Sequence, residues 1–412
     1  MRIVNITCSS KGGAGIAALR LHNSLREAGQ ECAFVSKDLS IDFDGQIIEP
    51  SFFNYQKPSL LDRVGHKLKK SFSNDHKSKL VEEVNAKKDQ MFYEVLSLPF
   101  SAYALEDHPL IKTADIVHFH WMGGILDYPT FFNALDKPLV WTFHDRNPFQ
   151  GIFHYKQDEL QNDDIIGPID KEIERLKQSC MGLLKNAILI SPSTWLKNDA
   201  VASGFFAENI PFEVIPNGID LTSFSPKAIQ DSRRQHHIPE DAFVLLFTAD
   251  HLAAPRKGSD LLIHALEKVS IPVTLLTIGK GTIDVANPLV TVTNFGYVEN
   301  SDEMSQCYSM ANFFVLPSLE DNLPNTMLES FACGTPIISF KTGGMAEYIV
   351  ENISGKFAAE MNGDSLCEVI ESAFNDKALF HTEAIRKFAE EHFNFKVLAS
   401  NYMKVYQSFN QV

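Results

Sequence analysis

The 412-residue sequence predicts an α/β chain of two doubly wound domains, each built on a parallel sheet. Three observations lead there. Short apolar runs, β-branched or aromatic, alternate with segments of helix length almost throughout, which is the pattern of βαβ units. A polar stretch breaks this series once, and a second series follows it. A chain of this length also exceeds what one core usually holds and favours two or three domains.

The first series reads "RIVNI" (2–6), "CAFVS" (32–36), "ADIVHFH" (114–120), "KPLVWTFH" (137–144), "AILISPS" (187–193) and "FEVIPN" (212–217). Each run is bounded by polar, Gly or Pro positions, as strands are. After "VIPNGIDLTSFSP" (214–226), the polar "KAIQDSRRQHHIPEDA" (227–242) reads as a linker with a short helix. The second series then gives "FVLLFTA" (243–249), "PVTLLTIG" (272–279), "VTVTNFG" (290–296), "NFFVLPS" (312–318) and "TPIISF" (335–340). The closing "TEAIRKFAEEHFNFKVLASNYMKVYQSF" (382–409) predicts two helices broken near Asn394. The expected boundaries are 1–220 for the first domain, 221–390 for the second and 391–412 for a terminal helix, with an insertion at about 57–90.

Bulk properties exclude several classes. Hydrophobic content of 44% and charged content of 22% are ordinary for a globular protein. No apolar run reaches the ~18 residues of a membrane span, and "MRIVNITCSS" enters a strand pattern without a charged-then-apolar leader. Six scattered cysteines, with no CxxC pair, suit reduced thiols in a cytoplasm and predict neither a disulfide framework nor a zinc site. A net charge of −15 argues against nucleic acid as a partner. One stretch runs the other way: residues 57–79 carry seven Lys/Arg against two Asp. There Leu61, Val64, Leu68 and Phe72 fall on one helical face, opposite Arg63, Lys67 and Lys70. That layout fits a surface helix packed on its own domain, or one resting on an anionic membrane, which would make a cytoplasmic chain peripheral to the inner face of the plasma membrane.

The chemistry concentrates in "VLPSLEDNLPNTMLESFACGTPIISF" (315–340). A strand ends at a loop carrying Glu320 and Asp321, nine and eight residues before Glu329, which lies one turn inside a short helix that Asn325 can cap and Gly334 can close. Ligands of open parallel sheets sit at the carboxyl ends of the strands. Amides of Asn322, Leu323 and the first helical turn can face a phosphate there, and the Glu329 carboxylate can accept from two vicinal hydroxyls. "TGGMAEYI" (342–349) adds a second glycine turn, and "PRKGSDLL" (255–262) places Arg256 and Lys257 at the same predicted edge, where cations neutralise a diphosphate.

"IPNGID", "PRKG", "LEDNLPNTMLESFACGTPI" and "TGGMAEYI", in this order, resemble the donor half of family 4 retaining glycosyltransferases of GT-B fold. "SSKGGAGIAALRLHNSLREAGQECAFVS", "HPLIKTADIVHFHWMGG", "KPLVWTFHDRNPFQGIFHY" and "ISPSTWLKNDAVASG" resemble a bacterial subgroup that builds surface polysaccharides. The resemblance implies two Rossmann-like domains with sheets facing across a cleft and a C-terminal helix returning to the first domain. It implies a nucleotide-sugar donor on the second domain and a glycan or lipid-linked glycan acceptor on the first. By matching motifs it puts Glu329 on the ribose, Lys257 and Arg256 on the diphosphate, and the amides of Asn322, Leu323, Gly343 and Gly344 on phosphate or sugar. Glu320 or Asp321 would bond the transferred hexose, and His120 would lie beneath it near the anomeric carbon. His118 is a weaker rival, expected to point into the core. Gly13 and Gly15, with Gly12, would let the first loop approach the ligand closely, and His144 and Asp145 would line the acceptor side. One departure stands out: many members carry a second cation six residues before the lysine, where this chain has His251.

No carboxylate is placed as a covalent nucleophile, and the resemblance implies front-face displacement; no DxD cluster suits a nucleotide-bound metal, so neither a metal nor another cofactor is expected. "GAGIAA" (13–18) with Asp38 also fits a weak nicotinamide-cofactor fingerprint, although "RIVNI" ends well before Gly12. A sugar-nucleotide epimerase of similar architecture and a non-catalytic glycan- or membrane-binding protein are the other classes open at this stage.

Overall fold

The computed structural model describes residues 1–48 and 76–409, and the chain divides into two compact units. The first comprises Met1–Ser191, Leu196–Val214 and Met403–Val412; the second comprises Pro192–Trp195 and Ile215–Tyr402. Residues 57–75 of the basic stretch, with both faces of its expected helix, lie outside the described residues.

In the first unit the strands are β1 (Ile3–Ile6), β2 (Cys32–Val35), β3 (Ser40–Ile41), β4 (Ile47–Ile48), β5 (Ile116–Phe119), β6 (Leu139–Thr142), β7 (Ala187–Ser191) and β8 (Phe212–Val214). They form one sheet in the order β4-β3-β2-β1-β5-β6-β7-β8. Pairing is parallel except at β2–β3 and β3–β4, a short antiparallel edge whose two-residue strands carry little sequence signal. β1, β2, β5, β6 and β7 are buried along their whole length, as expected when helices cover both faces. A second cluster packs the 26-residue helix Lys156–Met181 on the helix His76–Lys87, burying Leu80, Val84, Ile166, Ile169 and Ile173 with Ile152 and Phe153.

In the second unit β9 (Val244–His251), β10 (Val273–Lys280), β11 (Val290–Asn294), β12 (Phe313–Leu316), β13 (Ile337–Phe340) and β14 (Gly355–Ala358) form an all-parallel sheet in the order β11-β10-β9-β12-β13-β14. Alternate residues of β9 enter two separate cores: Val244 and Leu246 pack with Phe314 and Ile337, while Leu245 and Phe247 pack with Phe313 and Ile338. That alternation is what a sheet covered on both faces requires. β14, "GKFA", had no strand signal in the sequence, since Gly and Lys are weak strand formers.

The helix Thr382–His392 ends as expected near Asn394, and the final helix, Phe395–Ser408, follows it. Its Tyr406 hydroxyl lies 2.7 Å from His118 Nδ1, within the first unit. No helix among the described residues is long and apolar enough to cross a membrane.

Candidate functional site

Three of the loops singled out in the sequence follow β9, β12 and β13, which are neighbours in one parallel sheet, so their carboxyl ends bring those loops together. The turn after β9 is a short 3-10 element, Pro255–Lys257, closed by Gly258 at φ +73°. A Cβ on Gly258 would stand 1.9 Å from the Pro317 carbonyl, so only glycine lets this turn rest against the β12 loop. Leu319 N then donates to Arg256 O at 2.8 Å. Lys257 Nζ lies 2.5 Å from Asp321 Oδ2, and Arg256 donates to Glu320 O at 2.8 Å and reaches the same Asp321 oxygen at 3.4 Å. The Asp321 carboxylate meets both cations, and Glu320 accepts from Arg256 through its carbonyl. Burial alone would raise the Asp321 pKa, but Lys257 and Arg256 hold it below the usual carboxylate range.

The turn after β13 is fitted to the same loop. A Cβ on Gly343 would meet Asp321 O at 1.8 Å, and one on Gly344 would meet Asn322 O at 2.0 Å. Gly344 N donates to Asn322 O at 2.7 Å, which corrects the expectation that this amide faces a phosphate: its donor is already engaged. Glu329 sits in the helix Asn325–Ala332, 8% exposed, and accepts from the Tyr308 hydroxyl at 3.1 Å. Asn325 is the first helical residue and Pro324 holds the cap position, so the expected Asn325 cap is displaced by one.

Sequence reasoning missed the second layer of this loop. Ser193 Oγ donates to Asn322 Oδ1 at 2.5 Å, and Asn217, from "IPNGID", donates to Leu323 O at 3.2 Å. Glu347, just past Gly344, accepts from the amides of Thr194 and Trp195 at 2.9 and 2.7 Å. Ser193 and Asn217 lie in the quoted motifs "ISPSTWLKNDAVASG" and "IPNGID" without a role assigned to them, and Tyr308 lies in none; each becomes relevant only through its partner. His251, at the end of β9, is exposed and 3.4 Å from Asp250, while Lys280 on the paired strand β10 reaches Asp250 at 3.2 Å.

In the first unit the carboxyl ends of β1, β5 and β6 are likewise adjacent. The first loop is held from below by Asp38, which accepts from Ser9 Oγ, Ser10 N and Ser36 Oγ at 3.0, 2.8 and 2.7 Å. Asp38 is therefore a loop anchor, and the nicotinamide fingerprint loses its ribose acid. Gly15 has an internal reason to lack a side chain, since its Cβ would lie 2.2 Å from Ser9 O. Around Gly13 an added Cβ meets nothing within 4 Å.

His118 and His120 share a face, as residues two apart on a strand must, with ring centroids 4.2 Å apart; alternation does not separate them. His118 is bonded at both nitrogens, to Tyr406 and to Thr142 at 2.8 Å. His120 is 3% exposed, with Nδ1 3.1 Å from His144 Nε2 and Nε2 3.4 Å from Asn5 Oδ1. Burial keeps the pKa of His118 and His120 well below the ordinary imidazole value, helped by the charge of His144 at His118 and of His118 and His144 at His120, so both are neutral. Burial pushes His144 down to about 4. Asp145 anchors its loop. Its carboxylate accepts from Trp121 Nε1, His154 Nδ1 and Asn147 N at 2.8, 2.6 and 2.9 Å, a buried network that fixes the loop after β6 and commits both oxygens.

Known proteins fit this geometry. The Glycosyltransferase Family 4 profile matches residues 11–223, over half of the chain, and the "Glycosyl transferases group 1" profile matches residues 242–376. The chain is 25% identical over 279 residues to a D-inositol 3-phosphate glycosyltransferase of Arthrobacter, covering 64% of this chain and 63% of that protein. It is 27% identical over 214 residues to the lipopolysaccharide 1,2-N-acetylglucosaminetransferase of Salmonella typhimurium, covering 47% and 54%. The match thus spans under two thirds of either relative's length. Among solved structures, sucrose-phosphate synthase of Thermosynechococcus elongatus superposes with a TM-score of 0.67 at 17% identity, over 100% of this chain and 99% of that one. HepE of Anabaena, in complex with UDP-glucose, does so with a TM-score of 0.60 at 16% identity, over 99% and 100%. These likenesses give the fold, GT-B, that the motifs implied. The chain belongs to glycosyltransferase family 4.

Proposed function

We propose that this protein is a retaining glycosyltransferase that moves a hexose-type sugar from a nucleotide-sugar donor to a glycan or lipid-linked glycan, in the synthesis of a bacterial surface polysaccharide and without a metal. One observation carries the reading: Arg256, Lys257, Asp321, the Asn322 loop and the Gly343–Gly344 turn converge at the carboxyl ends of three adjacent parallel strands, with Glu329 in the helix that follows. The relatives' names support it, and HepE's complex with UDP-glucose supports the donor class.

In this reading Glu329, oriented by Tyr308, takes the ribose hydroxyls, and Lys257 and Arg256 stabilise the departing diphosphate. Asp321 keeps both cations aligned before the donor arrives and then bonds the hexose. His120, neutral and held by Asn5 and His144, lies beneath the sugar. The leaving phosphate itself takes the proton of the incoming hydroxyl, so the protein's contribution is positioning and charge stabilisation.

A thermal-shift panel of UDP-, GDP-, ADP- and dTDP-sugars in the presence of EDTA tests this, since a ligand that binds only the native state raises the melting temperature. At least one donor should raise it in the wild type and none in Glu329→Ala. A wild type indifferent to all four, or one that responds only when a divalent metal replaces EDTA, would overturn the donor or the metal-free part respectively.

A further inference from the structure

The helix Lys156–Met181 buries two charged side chains, Asp170 and Lys177, in the first unit. Seven positions apart, they lie on one face of the helix, and both act on the loop after β6. The Lys177 ammonium donates to the carbonyls of Asn147, Gln150 and Gly151, the last two at 2.6 and 3.0 Å. Three carbonyls use every proton that the group has. Asp170 Oδ1 accepts from Ile152 N at 2.6 Å, further along the same loop.

Apolar residues of like volume often serve stability as well as buried charges do. Apolar anchors are already present here: Phe149 packs on Phe143 with ring centroids 6.0 Å apart, and Phe153 lies in the cluster beneath the helix. Carbonyls that converge on one nitrogen add something that such packing does not, because they fix the direction of the backbone. That direction is passed on to the histidines. Asn147, whose carbonyl Lys177 holds, donates through its own N–H to Asp145 Oδ1 at 2.9 Å. Asp145 Oδ2 accepts from the Trp121 indole at 2.8 Å. Asp145 directly follows His144 and Trp121 directly follows His120, so one carboxylate joins the chain beside each histidine. Across that join, His120 Nδ1 and His144 Nε2 stand 3.1 Å apart.

We propose that Lys177 and Asp170 are positioning residues of the transfer reaction, which set the loop after β6 so that His144 meets His120. The proposal rests on the transferase reading above, in which His120 lies beneath the donor sugar.

The test compares the full wild-type chain with Lys177→Met, which removes the ammonium at similar volume, and with Asp170→Ala, which frees Ile152 N. One readout is hydrogen exchange of the Trp121 indole N–H by NMR, assigned by its loss in Trp121→Phe. The other is release of nucleoside diphosphate from UDP-, GDP-, ADP- and dTDP-glucose, with kcat and KM measured separately. Lys177→Met should exchange the indole proton faster and lose kcat by about 10–100-fold, the scale on which a misplacement of ~1 Å acts, with the donor KM within about twofold of wild type. Asp170→Ala should behave alike, and it decides if Lys177→Met does not fold. A purely structural pair would lower the melting temperature and leave the folded enzyme's kcat untouched. Wild-type kcat in the deciding variant, unchanged indole exchange, or a failure of both variants to fold therefore overturns the proposal. A wild type that releases nothing from any donor would instead remove the transferase reading, and indole exchange alone would then decide whether the pair sets the loop.

Discussion

Asp321 shows how much one residue's role depends on neighbours that its local sequence does not reveal. The pair "ED" in the sequence left two acids open, and the fold gives one of them a definite set of partners: the Asp321 side chain meets Lys257 and Arg256. Asp321→Asn would remove the carboxylate that Lys257 and Arg256 share. The cost at neutral pH should fall between the ~1 kcal/mol of an exposed pair and the ~3 kcal/mol of a broken buried one. The pH dependence has a definite sign. A carboxyl whose pKa is lower folded than unfolded contributes stability above its unfolded value of roughly 3.9, and loses that contribution as pH falls through the lower folded value. Urea unfolding should therefore show a deficit in Asp321→Asn at pH 7 that narrows below about pH 4; a deficit equally large in acid would mean that the ion pair is not its source. Asp145 shows the converse. "HD" after a strand looks like a site, but Trp121 and His154 lie 24 and 9 positions away and turn its carboxylate inward.

Among the elements, the three loops of the second unit were legible because each is marked by its own glycine or proline and each follows a strongly apolar strand. The neighbour relation of β9, β12 and β13 was legible only as an expectation of doubly wound topology. The role of the supports was not legible: Ser193 and Asn217 stand in quoted motifs but reach the loop from 129 and 106 positions away, and no local pattern records such a distance. The glycines separate structural from ligand-driven causes. Gly258→Ala forces a side chain into the left-handed region and onto the Pro317 carbonyl, combining a backbone cost of ~1 kcal/mol with an overpacking cost of ~1–3 kcal/mol. Its midpoint of denaturation should drop accordingly. Gly13→Ala meets open space at the start of a helix and should leave stability unchanged or raise it by up to ~1 kcal/mol. If the first loop approaches a ligand as the resemblance implies, Gly13→Ala alone will weaken turnover while unfolding normally. Wild-type turnover in that variant would remove Gly13 from the site.

At the scale of the whole molecule, charge is distributed in a way that the fold does not require. A chain of net −15 is repelled by anionic surfaces, yet residues 57–79 concentrate seven Lys/Arg against two Asp. A lipid-linked acceptor would have to be met at a membrane, and a basic segment contributes roughly 1 kcal/mol per Lys or Arg near an anionic leaflet. That attraction acts within a Debye length and weakens as salt rises. The protein should therefore float with vesicles containing phosphatidylserine, stay behind with purely phosphatidylcholine vesicles, and detach as sodium chloride approaches about 0.5 M, where screening shortens the Debye length to about 4 Å. The triple change Lys67→Glu, Lys69→Glu, Lys70→Glu reverses the local charge and should abolish flotation while leaving nucleotide-sugar binding as it was. Flotation that survives the triple change would move the membrane contact elsewhere on the chain; flotation on neither vesicle would confine these lysines to the protein's own surface.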